Sequence, residues 1–365
     1  MNRWLQAFLF GLILFWSITL TAADVIPKGW PKLPVENGSV EIPAQEWPLH
    51  PAPRHVPVFI HYPFGRLDRV TGKTGLMLTL HNWGGTGAVG SADPKALTER
   101  LDVISISVDY LQSGKHEGLE ASEPYDFGYL QALDALRALW YVQQGLRANS
   151  VLFNPGRIYV AGGSGGGQVA LMCNKFAPRT FACVIDMCGM CKLSDDIAYG
   201  LPGGSTLNAR WHREPSHRYF LSDDDREIRL IGNPVHLAEM KRLGHTAKII
   251  VVHGIEDSVS PFAEAKEMVE SMKAAKIDVE PFFVNKNHLD GRTFTSMGHS
   301  LGQRTEIVFR VAEKYLRPGS SLFLDKKSST DFFRREEIRY ETSNGAYVIS
   351  YENGYPTGRF EKKLE

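Results

Sequence analysis

The chain has 365 residues, and its 41 Lys plus Arg balance 41 Asp plus Glu to a formal net charge of +0. With no excess of basic residues to track a phosphate backbone, this composition argues against a nucleic-acid partner. The length suits one large α/β domain with additions.

Residues 1–23 open with Arg3, run apolar from about Leu5 to Leu20, and close on Thr21, Ala22 and Ala23. This is the layout of a cleaved export signal, with cleavage expected after Ala23. A retained anchor is the alternative, but a bilayer span needs about 20 apolar residues, and this run is shorter and broken by Gln6 and Ser17. The mature protein is therefore expected to be periplasmic or secreted, with no stable membrane insertion. Residues 24–55 are rich in proline and tryptophan without periodicity and read as an extended lead-in over the surface.

From residue 55 onward, apolar runs alternate with helical patterns. Strands are predicted at 55–62, 76–80, 103–108, 157–162, 181–187, 247–252 and 279–284. Helices are predicted at 94–101, 126–144, 166–176, 261–276 and 302–316. Ser91 or Asp93 begins the first of these, and Ser260 caps the fourth, with Pro261 in its first turn. Strand–helix alternation with Ile/Val-rich strands predicts an α/β fold with a mostly parallel twisted sheet and helices on both faces.

Two segments stand outside the repeat. Residues 192–245 are long, polar and mixed, and are expected to form a cap over the site. They include Trp211, His212, Arg213, His217 and Arg218, either a group that recognises an anion or a solvated face. Residues 329–365 carry Asn344-Gly345 and Asn353-Gly354 between Tyr/Val/Ile-rich runs, which predicts a small three-stranded β meander. The four cysteines, Cys173, Cys183, Cys188 and Cys191, read as a structural bridge, with Cys188 and Cys191 close in sequence, or as buried free thiols.

The chemistry centres on Gly162-x-Ser164-x-Gly166, where a strand runs into a helix through a glycine-flanked serine. A serine on such a sharp turn holds its hydroxyl exposed, and glycine-sized neighbours let the helix pack close behind it. Open parallel sheets bind ligands beyond the carboxyl ends of their strands, and three further signals fall there. His81-Asn82-Trp83-Gly84-Gly85 follows a strand and offers backbone N–H groups to a developing oxyanion, from Trp83 or Gly84 together with Gly165. His253-Gly254-Ile255-Glu256-Asp257 follows another, with Asp257 as the favoured carboxylate and Glu256 as its rival. Last, His299 precedes the final helix, and His288 is the alternative imidazole. The order Ser164, Asp257, His299 matches a nucleophile–acid–base arrangement in which the carboxylate fixes the imidazole that activates the hydroxyl.

On these motifs, residues 56–317 resemble an α/β-hydrolase, nearest the dienelactone-hydrolase and prolyl-oligopeptidase branch. The acid loop 253–261 and the preceding Asn233-Pro234-Val235-His236-Leu237 run carry the resemblance beside the elbow. It implies Ser164 as nucleophile, Asp257 as acid, His299 as base, and the N–H groups of Gly165 and Trp83 as the oxyanion hole. Asn82 stands where a His-Gly pair is usual, and His299 lies further past the last strand than in typical members. The implied activity is hydrolysis of a small-molecule or saccharide ester through an acyl-enzyme, without metal or cofactor; a serine peptidase acting on short peptides is the alternative. Two other classes compete. Gly165-x-Gly167-x-x-Ala170, with Asp186 ending the next strand, mimics a dinucleotide-binding fingerprint, although such units usually open a domain. The remaining alternative is a catalytically inactive hydrolase fold used as a binding module.

Overall fold

The structure is a computed structural model that describes residues 26–363 except 203, 327 and 328. The expected export signal lies outside the described residues. In chain order the elements are β1 Gly38–Ala44, β2 Arg54–His61, β3 Gly75–Leu80, α1 Pro94–Leu101, β4 Val103–Val108, α2 Tyr129–Ala148, β5 Ile158–Gly163, α3 Gly165–Phe176 and β6 Cys183–Met187. There follow α4 Asp195–Tyr199, α5 Asp223–Arg229, α6 Pro234–Arg242, β7 Lys248–Gly254, α7 Phe262–Ala274, β8 Val279–Val284 and α8 Arg304–Leu316. The tail adds α9 Asp331–Arg334, β9 Glu337–Glu341, β10 Gly345–Ser350 and β11 Thr357–Lys362.

Eight strands form one sheet in the order β1-β2-β4-β3-β5-β6-β7-β8. The β1–β2 and β2–β4 pairs are antiparallel, and every pair from β4 to β8 is parallel. Successive side chains on a strand point to opposite faces, so each central strand feeds two cores. Leu76, Leu78, Ile158, Val160, Ile249 and Val251 join the core under α2, α3 and α7. Their neighbours Met77, Tyr159, Ala161, Ile250 and Val252 join the core under α1 and α8. Coverage on both faces explains why these strands read as unbroken apolar runs.

The structure departs from expectation in three places. Residues 24–55 do not simply lie over the surface: β1 pairs with β2 from Gly38↔Ile60 to Ala44↔Arg54 and extends the main sheet. The helix predicted from 126 begins at Tyr129, because Gly128 stands at φ 93 and Asp126 instead accepts the Gln131 N–H at 3.0 Å. The fourth predicted helix is not capped by Ser260: α7 starts at Phe262 after Pro261, and the buried Ser260 Oγ has no hydrogen-bond partner among the described residues. All four cysteines are buried free thiols, so the bridge reading is dropped.

Within residues 192–245 lie the short helices α4, α5 and α6. Leu193, Ile197, Ala198, Ala209 and Leu221 pack with Trp83, Tyr125 and Phe127 in a third core next to the elbow. The tail forms the antiparallel sheet β11-β10-β9. It docks on the back of α3, where the buried Tyr351 hydroxyl donates to the Phe176 carbonyl at 3.0 Å.

Candidate active site

Ser164 sits between β5 and α3 at φ 54, ψ −122, a region that side chains other than glycine rarely occupy. The turn is held on both sides. Ser164 N–H donates to the Met187 carbonyl on β6 at 2.9 Å, and the Ser164 carbonyl accepts from Gly167 N–H at 2.9 Å. A Cβ on Gly166 would lie 2.1 Å from the Leu80 carbonyl oxygen, so only glycine lets α3 run this close to β3. One on Gly165 would lie 2.7 Å from the Trp83 nitrogen, so the Trp83 backbone passes close beside Gly165 at the elbow.

The loop after β8 brings His299 to the serine. His299 Nε2 lies 2.8 Å from Ser164 Oγ, and His299 Nδ1 lies 2.9 Å from Asp257 Oδ2. The carboxylate is an acceptor, so Nδ1 carries the proton and Nε2 presents its lone pair to the hydroxyl. The loop is tied in place from two directions: Arg304 donates to the His299 carbonyl at 2.9 Å, and Glu256 N–H donates to the Met297 carbonyl at 2.9 Å. The His299 side chain keeps 23% exposure while that of Asp257 has 0%, so the imidazole meets solvent and the carboxylate does not.

Asp257 has two tasks, one for each oxygen. Oδ1 accepts the N–H groups of Val259 at 2.9 Å and Ser260 at 3.0 Å, which shapes the turn into α7. Oδ2 faces His299. Asp257, rather than the expected cap Ser260, thus holds this turn while also facing His299, because a carboxylate has acceptor sites enough for both. Burial works against the ionised form, but hydrogen bonds from His253 and His299 outweigh it and hold the carboxyl well below its ordinary value. The rival acid Glu256 is exposed. His288 is turned elsewhere: its Nδ1 accepts the Asn285 N–H at 3.1 Å and its ring rests on Phe282.

A residue the sequence reading left without a role is His253, at the end of β7. It has 0% exposure, its Nε2 lies 2.8 Å from the Ser260 carbonyl, and the same nitrogen is 3.3 Å from Asp257 Oδ2. The carbonyl can only accept, so Nε2 carries the proton and donates it there, with the carboxylate close beside that bond. Its four-residue spacing from Asp257 was visible, but only the turn shows that the two meet.

Trp83 is pinned as well. Its indole N–H donates to the Gly118 carbonyl at 2.9 Å, and its ring stacks on Tyr125 with centroids 3.9 Å apart. The alternative donor Gly84 follows at φ 76 with Leu119 against it. Cys188 completes the surroundings: its sulfur and the ligand atoms of Asp257 and His299 all lie within 4.8 Å of one another. Burial pushes the Cys188 thiol well above its ordinary range, and the carboxylate is already hydrogen bonded to amides and imidazole. These donors are engaged with each other rather than arranged around a cation.

The other residues singled out from sequence take no part in the contacts that join Ser164, His299 and Asp257. Asp186, the acid of the dinucleotide fingerprint, is fully buried and accepts the Gly189 N–H at 2.8 Å, leaving no carboxylate open to a ribose. In the insertion, Trp211 donates to the Tyr125 carbonyl at 3.1 Å, Arg213 pairs with Asp195 at 3.1 Å, and His212 stacks on His217 with centroids 3.9 Å apart. Arg218 donates to the Leu49 carbonyl at 2.7 Å.

Among solved structures, the chain is similar to an uncomplexed acylaminoacyl peptidase of Pyrococcus horikoshii. The identity is 14% over 80% of this chain and 43% of that chain, with a TM-score of 0.53. An acylaminoacyl peptidase in complex with Z-Gly-Gly-Phe-chloromethyl ketone gives the same identity, coverage and TM-score. An arylesterase is matched at 16% identity over 79% of this chain and 84% of that chain, with a TM-score of 0.45. The chain thus spans less than half the length of the two peptidases. No curated protein matches in sequence. The family described as "Protein of unknown function (DUF2920)" matches residues 120–355, a stretch that includes Ser164, Asp257 and His299. The chain belongs to that family, and its fold is that of the α/β-hydrolases.

Proposed function

We propose that the protein is an exported serine hydrolase that cleaves a carboxylic ester through Ser164, His299 and Asp257. The observation that carries this reading is the run of contacts from Ser164 Oγ to His299 at 2.8 Å and from His299 to Asp257 at 2.9 Å. As Ser164 Oγ attacks the acyl carbonyl, its proton passes to His299 Nε2. Asp257, kept ionised, stabilises the resulting imidazolium without taking the proton. The tetrahedral oxyanion lies between the N–H groups of Gly165 and Trp83, each such donor contributing about 3 kcal/mol to the barrier reduction. The protonated His299 then gives its proton to the departing alkoxide. Water, deprotonated by the same imidazole, releases the acid from Ser164. Residues 192–245 act as the cap that shields these steps from bulk water.

A second reading, a peptidase acting on short peptides, draws support from the fold likeness to acylaminoacyl peptidases. Assay of the purified protein against acetyl, feruloyl and longer-chain esters beside aminoacyl-anilides separates the two. A serine-directed fluorophosphonate should label the protein at Ser164. Ser164→Ala should lower kcat on the best substrate by at least about 10³-fold; full turnover by that variant would overturn the assignment. Export is checked by N-terminal sequencing of the mature protein, with residue 24 expected first.

A further inference from the structure

A cavity of about 330 Å³ lies where four parts of the chain meet: the lead-in, the start of α2, the insertion and the tail sheet. Its size falls within the roughly 300–1,000 Å³ of small-molecule pockets. None of Ser164, His299, Asp257 or Trp83 lines it. Its walls are aromatic, with Trp47, Trp211, Tyr219, Phe220, Tyr347 and Phe360 contributing side chains.

Three arginines and two aspartates also line the cavity, and their pairing decides its charge. Arg229 is buried and paired with Asp225 at 3.1 Å and Asp126 at 3.7 Å. Arg359 is paired with Glu337 at 2.8 Å and Glu361 at 2.6 Å. Arg218 has no carboxylate partner among the described residues; one of its nitrogens donates to the Leu49 carbonyl. The cavity therefore presents one uncompensated guanidinium.

Several of the wall's other polar groups are already engaged. The Gln45 amide bonds both ways with the Gly358 backbone, at 2.6 and 2.7 Å. Trp211 donates to the Tyr125 carbonyl, and the Tyr347 hydroxyl to Asp225 at 2.7 Å. A flat apolar body with one anionic group finds aromatic faces for its ring and a planar fork for its charge.

We propose that this cavity is a second binding site, taking a small arene carboxylate with its carboxylate on Arg218 and its ring against the aromatic wall. The inference stands apart from the chemistry assigned to Ser164. The site has a route to it, however: Trp211 bonds to the Tyr125 backbone, and the Tyr125 ring stacks on Trp83.

Isothermal titration of the purified protein with trans-cinnamate tests the proposal, with cinnamamide as the uncharged analogue. Saturable binding of cinnamate is expected, with cinnamamide and Arg218→Ala each weakening it by about tenfold or more. Phe220→Leu, which keeps the charge and trims the wall, should weaken both probes together. Arg218 is exposed and leaves no buried partner, so its variant should keep the wild-type far-ultraviolet spectrum. Blocking Ser164 with a fluorophosphonate should leave cinnamate binding unchanged; should the protein resist labelling, the Ser164→Ala variant takes its place. Three results would each overturn the proposal: no saturable binding at millimolar cinnamate, equal binding of the amide, or binding unaffected by Arg218→Ala. Loss of binding on blocking Ser164 would assign the ligand to the active site instead and overturn it too.

Discussion

His253 has no hydroxyl to attack with and no access to substrate, yet it lies within 3.3 Å of the carboxylate that orients His299. On the proposed mechanism it is a positioning residue: its ring, held by the Ser260 carbonyl, stands beside the Asp257 Oδ2 that accepts from His299, and limits the carboxylate's freedom to turn away. A hydrogen bond to a charged group contributes about 1.5–3 kcal/mol, which sets a ceiling of roughly 10–100-fold in rate. His253→Phe should therefore lower kcat within that range and leave KM unchanged, and His253→Gln, which retains an N–H, should recover part of the loss. Steady-state kinetics on the best ester reads both, and an unchanged kcat in His253→Phe would remove His253 from the mechanism. Ser164 could be picked out in the sequence because its strained turn demands glycines nearby in the chain. His299 could be picked out only by chain order, since nothing beside it marks it among 12 histidines. His253 could not, because its task depends on a turn folding back by four residues.

The tail is joined to the turn after α3 by a buried charge pair, Asp331 on α9 with Arg179. Asp331 is fully buried and accepts from Arg179 Nε at 2.6 Å, Arg179 N–H at 2.8 Å and Thr180 Oγ1 at 2.9 Å. Removing one partner of such a pair strands the other away from water, at a cost of about 3–5 kcal/mol. Asp331→Ala should lose about that much in urea denaturation while Ser164 labelling persists in the folded fraction; a loss below about 1 kcal/mol would show that this pair contributes little to docking the tail. The central strands were legible because both their faces are covered, so the residue types needed no alternation to declare them. β1 was not: only Ile42 is fully buried, Pro43 interrupts the pattern, and the strand lies at the sheet edge. The insertion's helices were missed for a related reason. α4 has 5 residues and α5 has 7, too few for a helical period to emerge from a polar background.

Across the whole molecule, three buried histidines weaken the fold in acid, against the opposite pull of buried His253, which Asp257 and Asp186 raise in spite of its burial. Burial pulls His81 down to about 4 and His236 and His245 down to about 3, from an ordinary value of 6.5. The folded protein keeps these rings neutral as pH falls below 6.5, while the unfolded chain takes up protons. The unfolded state therefore binds more protons across that window, and stability falls from about pH 6.5 toward pH 4 and below. His81 alone accounts for a loss on the order of 3 kcal/mol. Calorimetry should find Tm level above pH 7 and falling steeply below 6.5; a Tm that held to pH 4 would contradict the neutral assignment. The same scale governs how the fold is completed. Arg137 on α2 donates to the carbonyls of both Pro43 and Pro356, and Gln45 pairs with Gly358, 313 residues later. A growing polypeptide leaves the ribosome with its early residues first, so Gln45 must wait through nearly all of synthesis for its partner. Until then β1 lacks its final anchorage, and the nascent chain remains open to proteases and chaperones along that edge.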